Sequence, residues 1–212
     1  MLRKFGLFLA ASALLLTVAA PVSAGQSTYN SSGSALTAQG GWDSFDEATG
    51  SYEYGWVSGW QAQGEPAFVE FYGGSFREIV CTPAHGNQPA TTSYLETFRY
   101  GGGPGSLSIG RVYSVASASA TIDIWTDTYN GCTGEYTSSI AEGVAVALEL
   151  SGSGDLIKET GTWSFKIPGQ YNSHSRYSST YRPATGTASL AGEAHDVYGA
   201  IGKVSWSDHS NG

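Results

Sequence analysis

Asp123, Trp125 and Asp127 stand two residues apart in a run of β-branched and aromatic residues, so an extended chain puts all three on one face. Residues two apart on a strand are separated by about 6.8 Å, which sets the two carboxylates about 13 Å apart with the indole between them. A ring flanked by acids suits a sugar: the indole stacks on C–H faces and the carboxylates accept hydroxyl hydrogens. The spacing is too wide for the acid pair of a glycosidase, which lies about 5–10 Å apart. The plainer reading is a solvent-facing strand whose acids only solvate it.

A second strip alternates in the same way. His174, Arg176, Ser178, Thr180 and Arg182 point to one side of a regular strand, with Tyr177 and Tyr181 on the other. Arginine forks bind carboxylate or phosphate, so an anionic ligand is one reading. Pairing with an acidic strand such as that of Asp123 and Asp127 is the duller one. Tyr52, Tyr54, Trp56 and Trp60 form a third row, equally suited to a ligand platform or a core wall, and the size of the rings favours the core.

Other chemistries find little purchase. Asp43, Asp46 and Glu47 could offer oxygens to calcium but miss the EF-hand register, and His85, His174, His195 and His209 are scattered, so no metal site is expected. No nucleophile elbow, P-loop or dinucleotide fingerprint occurs, so no catalytic residue is assigned and no cofactor is expected. The glycine run Gly101–Gly105 lacks the lysine and helix of a phosphate loop and reads as a flexible hairpin tip.

These residues need strands to position them, and the chain supplies them. Val144, Val146, Leu148 and Leu150 alternate with Ala145, Ala147 and Glu149; Ala120, Ile122 and Ile124 alternate with Thr121, Asp123 and Trp125. Period-two alternation of β-branched and aromatic residues, broken by glycine, proline and asparagine, is the pattern of half-buried strands. Breaks fall at Gly73–Gly74, Thr82–Gln88, Asn130–Gly131, Gly152–Gly154 and Ile167–Ser173. No segment shows a capped 3.6 period. The expectation is an all-β domain over 42–212, an antiparallel sandwich or barrel of about ten strands. Residues 25–41, rich in serine and glycine, read as a flexible leader before it.

Export is expected from the start of the chain. Arg3 and Lys4 precede an apolar run from Phe5 to Ala20, and small residues lead to a cut after Ala24, the layout of a cleaved signal peptide over 1–24. Nothing after Ala24 is apolar enough to span a membrane. The remaining 188 residues carry eight Lys and Arg against 18 Asp and Glu, a formal charge of −10. That balance argues against nucleic acid as a partner, without excluding a small local basic site. Cys81 and Cys132 are the two cysteines and read as one disulfide, worth about 4 kcal/mol in the chain-entropy account.

The stretches Leu150–Leu156, Ser175–Tyr177 with Thr185–Thr187, and Gly199–Val204 resemble the C-terminal half of a loose group of uncharacterised secreted bacterial all-β proteins. That resemblance implies an exported β-domain and implies no activity.

Three readings of function follow. The first is a secreted, non-enzymatic binding or surface module, with a glycan or cell-surface component as partner and Asp123, Trp125, Asp127, His174, Arg176, Thr180 and Arg182 as ligand residues. The second is a structural, envelope-associated protein without a ligand. The third is a secreted glycan hydrolase using a pair drawn from Glu70, Glu96 and Glu149. They rank in that order, because no catalytic motif supports the third.

Overall fold

The computed structural model describes residues 28–83, 85–86, 89–168 and 171–211; the expected signal peptide lies outside them. Nine strands account for almost all of the described chain: β1 (Thr28–Asp46), β2 (Ser51–Ala62), β3 (Ala67–Thr82), β4 (Thr91–Ile109), β5 (Val115–Asn130), β6 (Glu135–Gly152), β7 (Ile157–Ile167), β8 (Tyr171–Leu190) and β9 (Glu193–Asn211). All pairings are antiparallel, in the order β6-β5-β4-β3-β2-β1-β9-β8-β7, and a further β6–β8 pairing closes the sheet into a ring. The choice between sandwich and barrel therefore falls to the barrel.

Closure is short. β6 meets β8 only from Val146↔Leu190 to Gly152↔Ala184, and below that point β7 takes over the same edge of β8, from Ile157↔Tyr181 to Ile167↔Tyr171. β6 and β7 thus form one long stave broken at residues 153–156. Because the other strands are staggered, the sheet runs past the closed part at both ends. The upper blade holds the far ends of β1 to β6, and the lower blade holds β7, the first half of β8, the second half of β9 and the start of β1.

The barrel is filled with side chains. Val57, Val69, Ile124, Val146, Leu148, Val197 and Ile201 are fully buried along its axis, each on the inward parity of its strand. Trp42 closes the upper mouth: its ring stacks on His195 at 4.3 Å and faces Phe71 at 6.1 Å, and the Arg99 guanidinium lies 5.7 Å from the Phe71 ring. Ser117, Ser119, Thr121, Glu149 and Thr187 face outward around the same level. No helix among the described residues is long and apolar enough to cross a membrane.

Several expectations are corrected. The segment 25–41 is no flexible leader from Thr28 onward: it is the first part of β1, which pairs with β2 on one side and β9 on the other. Its small residues answer to crowding. A Cβ on Gly40 would lie 2.8 Å from Val197, and one on Gly41 would enter the Trp56 ring. Gly101–Gly105 is strand rather than hairpin tip, and there a Cβ on Gly102 would lie 2.8 Å from the Phe68 ring. Pro104 lacks an N–H, and the β4–β5 ladder is interrupted between Tyr100↔Trp125 and Gly105↔Ala120. Gly73–Gly74 likewise lies inside β3. In all three places a small residue makes room for a neighbouring side chain or backbone, where the sequence reads as leader or turn. The nine strands among the described residues agree with the expected count of about ten.

Cys81 and Cys132 are bonded, Cα to Cα 5.1 Å, and tie the end of β3 to the β5–β6 turn.

Candidate ligand-binding face

The alternation that buries one side of each barrel strand leaves two free faces on each blade. On the upper blade the outer face is aromatic. Direct register partners carry a row across five strands, Trp56, Tyr72, Tyr100, Trp125 and Ile140. Neighbouring strands are about 4.8 Å apart, so the rings adjoin. A second row runs Tyr54, Gly74, Phe98, Asp127, Ser138, and a third runs Tyr52, Phe76, Glu96, Tyr129, Tyr136. The rings support one another: Tyr52 and Phe76 are 5.0 Å apart between centroids, Tyr54 and Tyr72 6.1 Å, Phe76 and Tyr94 6.4 Å in an edge contact. Trp125 is 46% exposed, Tyr100 43% and Tyr72 50%, too open for a core and open enough to be touched.

Trp125 and Asp127 thus belong to this face, as their spacing required. So do Tyr52, Tyr54 and Trp56, which are outer-face residues and not a core wall. Size alone favoured burial for them; on β2 the inward positions belong to Gly55, Val57 and Gly59, on the opposite parity. Tyr72, Phe98, Tyr100 and Tyr136 complete the platform and were not singled out from sequence. The shared parity of Tyr94, Phe98 and Tyr100 is the signal that points to them.

The two aspartates have different situations. Asp123 accepts the Gly143 N–H at 2.9 Å, where two residues of β6, Glu142 and Gly143, oppose Asp123 alone on β5 and Gly143 takes a left-handed φ of 65°. Its carboxylate pins a β-bulge at the rim of the platform. Asp127 sits within the platform. Hydroxyls of Ser138, Tyr136 and Tyr100 donate to it and hold its carboxyl below the usual carboxylate range. The same contact with Asp127 raises the Tyr136 phenol. Deeper in the face, Ser58 Oγ donates to Glu70 Oε1 at 2.7 Å. Burial, with help from Tyr72, pushes Tyr54 up to about 12.

His174, Arg176, Thr180 and Arg182 lie elsewhere, on the inner face of the lower blade, the continuation of the barrel interior. The acidic and the arginine strips therefore do not meet: β5 and β8 are not neighbours, and the ion pair found among the described residues is His195–Glu193, 4.0 Å. His174 Nδ1 hydrogen-bonds Ser164 Oγ at 2.8 Å, and the Arg182 Nε is buried without a partner.

No family model, curated protein or solved structure matches this chain. The likeness of the C-terminal half to secreted β-proteins rests on its residues alone.

Two shallow grooves are present. One, of about 380 Å³, is lined by Ser117, Glu149 and Thr187 with their neighbours; the other, of about 430 Å³, runs between the rows Thr160–Ser178–Ser205 and Thr162–Arg176–Ser207, with Gly161, Tyr177 and Trp206 between them. The first holds a single carboxylate and the second none, so neither brings together the pair that hydrolysis of a glycoside requires. Glu70 and Glu96 are on the open aromatic face instead. Among the described residues no cluster of three His, Cys, Asp or Glu is placed to hold a metal. Asp46 is spent on its own turn, accepting Ala48 N–H at 2.9 Å and the Thr49 hydroxyl at 2.7 Å.

Proposed function

We propose that this protein is an exported, non-enzymatic module that binds carbohydrate on the outer face of its upper blade. The observation that carries the reading is the unbroken aromatic row Trp56–Tyr72–Tyr100–Trp125, flanked on the same face by Asp127. Faces of rings bind the C–H faces of sugars, while carboxylate and phenol oxygens take the hydroxyls. The surface is flat and wide, so an extended polysaccharide fits it better than a small sugar, which a concave pocket would enclose. A bilayer fits it poorly, because Asp127 and Glu96 lie among the rings. Export accords with the signal-like start and with the disulfide, which belongs to an oxidising compartment.

The test is retention on insoluble neutral polysaccharides, read with intrinsic Trp fluorescence. Trp125→Ala and Tyr100→Ala are each expected to weaken retention at least ten-fold, about 1.4 kcal/mol. Full retention in the double variant, or no retention of the wild type on any neutral glycan, defeats the reading.

A further inference from the structure

The mature chain has eight lysines and arginines, and five of them, Lys158, Lys166, Arg176, Arg182 and Lys203, share the inner face of the lower blade. That face is built from four strands in register. Its cross-strand rows read Lys158–Thr180–Lys203, Thr160–Ser178–Ser205–Ser34, Thr162–Arg176–Ser207–Ser32, Ser164–His174–His209–Asn30 and Lys166–Asn172–Asn211–Thr28. Only Leu36, at the end of the first row, is apolar. No carboxylate occurs on it: Glu159 and Asp208 are on the opposite parity, and Glu159 already accepts the Tyr181 hydroxyl at 3.0 Å. No carboxylate lies within ion-pair distance of any of the five cations among the described residues.

A chain of formal charge −8 does not gather its cations on one acid-free face by ordinary sheet pairing, which sets opposite charges across from each other. The five cations are also kept apart. Lys158 and Lys203 are separated by Thr180, and Arg176 stands between Thr162 and Ser207. This spacing avoids direct like-charge contact and intersperses the charges with hydroxyls. Lys158, Lys166, Arg176 and Lys203 are all exposed.

We infer that this face is a second binding site, and that its ligand is a linear acidic polysaccharide bearing carboxylate or sulfate groups. Hydroxyls about 4.8 Å apart along each row match a polymer of hydroxyls, and the interspersed cations match its intermittent anions. Single-stranded nucleic acid fits less well, since it is held by broad aromatic stacking platforms and this face carries no Phe, Tyr or Trp. A duplex would bring dense charge against a net acidic chain. The inference is independent of the neutral-glycan reading, because the two sites lie on opposite faces at opposite ends.

The experiment titrates the full-length mature protein with polygalacturonate, dextran sulfate, neutral dextran, and single- and double-stranded DNA, at low and at physiological salt. Polygalacturonate or dextran sulfate is expected to bind more tightly than neutral dextran, and that excess should fall steeply as salt rises. The double variant R176A/K203A should lose at least ten-fold, while R111A and Trp125→Ala should keep wild-type affinity. Preference for the carboxylated or the sulfated polymer names the anion and supports the site either way. Equal loss in R111A would reduce the effect to overall charge and overturn the inference. So would DNA binding as tight as the polysaccharides, an absence of binding to both acidic polymers, or loss in Trp125→Ala. Salt-sensitive self-association removed by R176A/K203A would give the face to a second copy and overturn it as well. Near-UV circular dichroism of each variant separates lost binding from lost fold.

Discussion

The two blades are made by the same rule and end up chemically opposed. Each is an open antiparallel extension of one barrel wall, and each has rings on its outer face: Trp125 and Tyr100 above, Trp163, Phe165 and Trp206 below. The charges differ. Above, Asp43, Glu78, Glu96, Asp123 and Asp127 accompany the rings outward; below, cations and hydroxyls fill the inner face. The support differs too. The upper blade is crossed by the Cys81–Cys132 bond, whereas the lower blade ends in β7, which is paired on one side only. Alternation fixes which residues share a face, then, but charge decides what that face can hold.

Removing the bond attacks the contrast most strongly. With Cys81 and Cys132 both changed to serine, the loop of 51 residues is released and stability falls by about 4 kcal/mol. Hydrogen exchange should show the loss first in residues 76–82 and 126–137, with the strands of the lower blade following only on global unfolding. Uniform loss would mean that the blades unfold as one unit. A cut in the shared wall is expected to cost nearly as much: Leu148→Ala empties a fully buried position opposite Ala118 and should cost about 2–5 kcal/mol, lowering the melting temperature of both blades together.

Much of the upper face was legible in the sequence, and the reason is local. Asp123, Trp125 and Asp127 sit on one strand, and the period of two alone puts them on one side. Tyr100 and Tyr72 join them only through register, which is set by turns and bulges far away in the chain. The same holds below. The strip from His174 to Arg182 was visible, but Lys158, Lys166 and Lys203 reach that face through β7 and β9. Residues 28–41 were misread because their composition is that of a linker. Gly40 and Gly41 are small for packing, and what they pack against, Val197 and Trp56, is supplied by other strands. Closure of the ring was out of reach for the same reason, since it depends on the meeting of β6 with β8 across about 40 residues.

The acid side of the contrast can be titrated. Asp127 is held below the usual carboxylate range by Ser138, Tyr136 and Tyr100. A depressed folded pKa favours the ionised platform above the ordinary carboxylate pKa and withdraws that contribution as pH falls through the lower folded value. Neutral-glycan retention should therefore persist through the ordinary carboxylate range and drop only in stronger acid. Asp127→Asn should remove that drop. On the alkaline side Tyr54, pushed up to about 12 by burial, should ionise well above the ordinary phenol range in a spectrophotometric titration. Its contribution is present below the ordinary phenol pKa and is lost as pH rises through about 12. An early Tyr54 transition would show the upper platform to be looser than its packing.

The smallest effect concerns the turn beneath the barrel. Val112 takes φ 54° and Tyr113 φ 56° in the turn joining β4 to β5, and a β-branched residue is a costly occupant of the left-handed region. The turn is tied to the seam where β6 gives way to β7, since Gly152 N–H donates to Ser114 O at 2.8 Å. Val112→Gly should relieve strain there and raise stability by about 1 kcal/mol, a melting shift of a few degrees. If the seam couples the two blades, slower exchange should appear in β7 as well as in β5. If exchange slows in β5 alone, the blades are joined only through the barrel wall, and the strain at Val112 is a local matter of the turn.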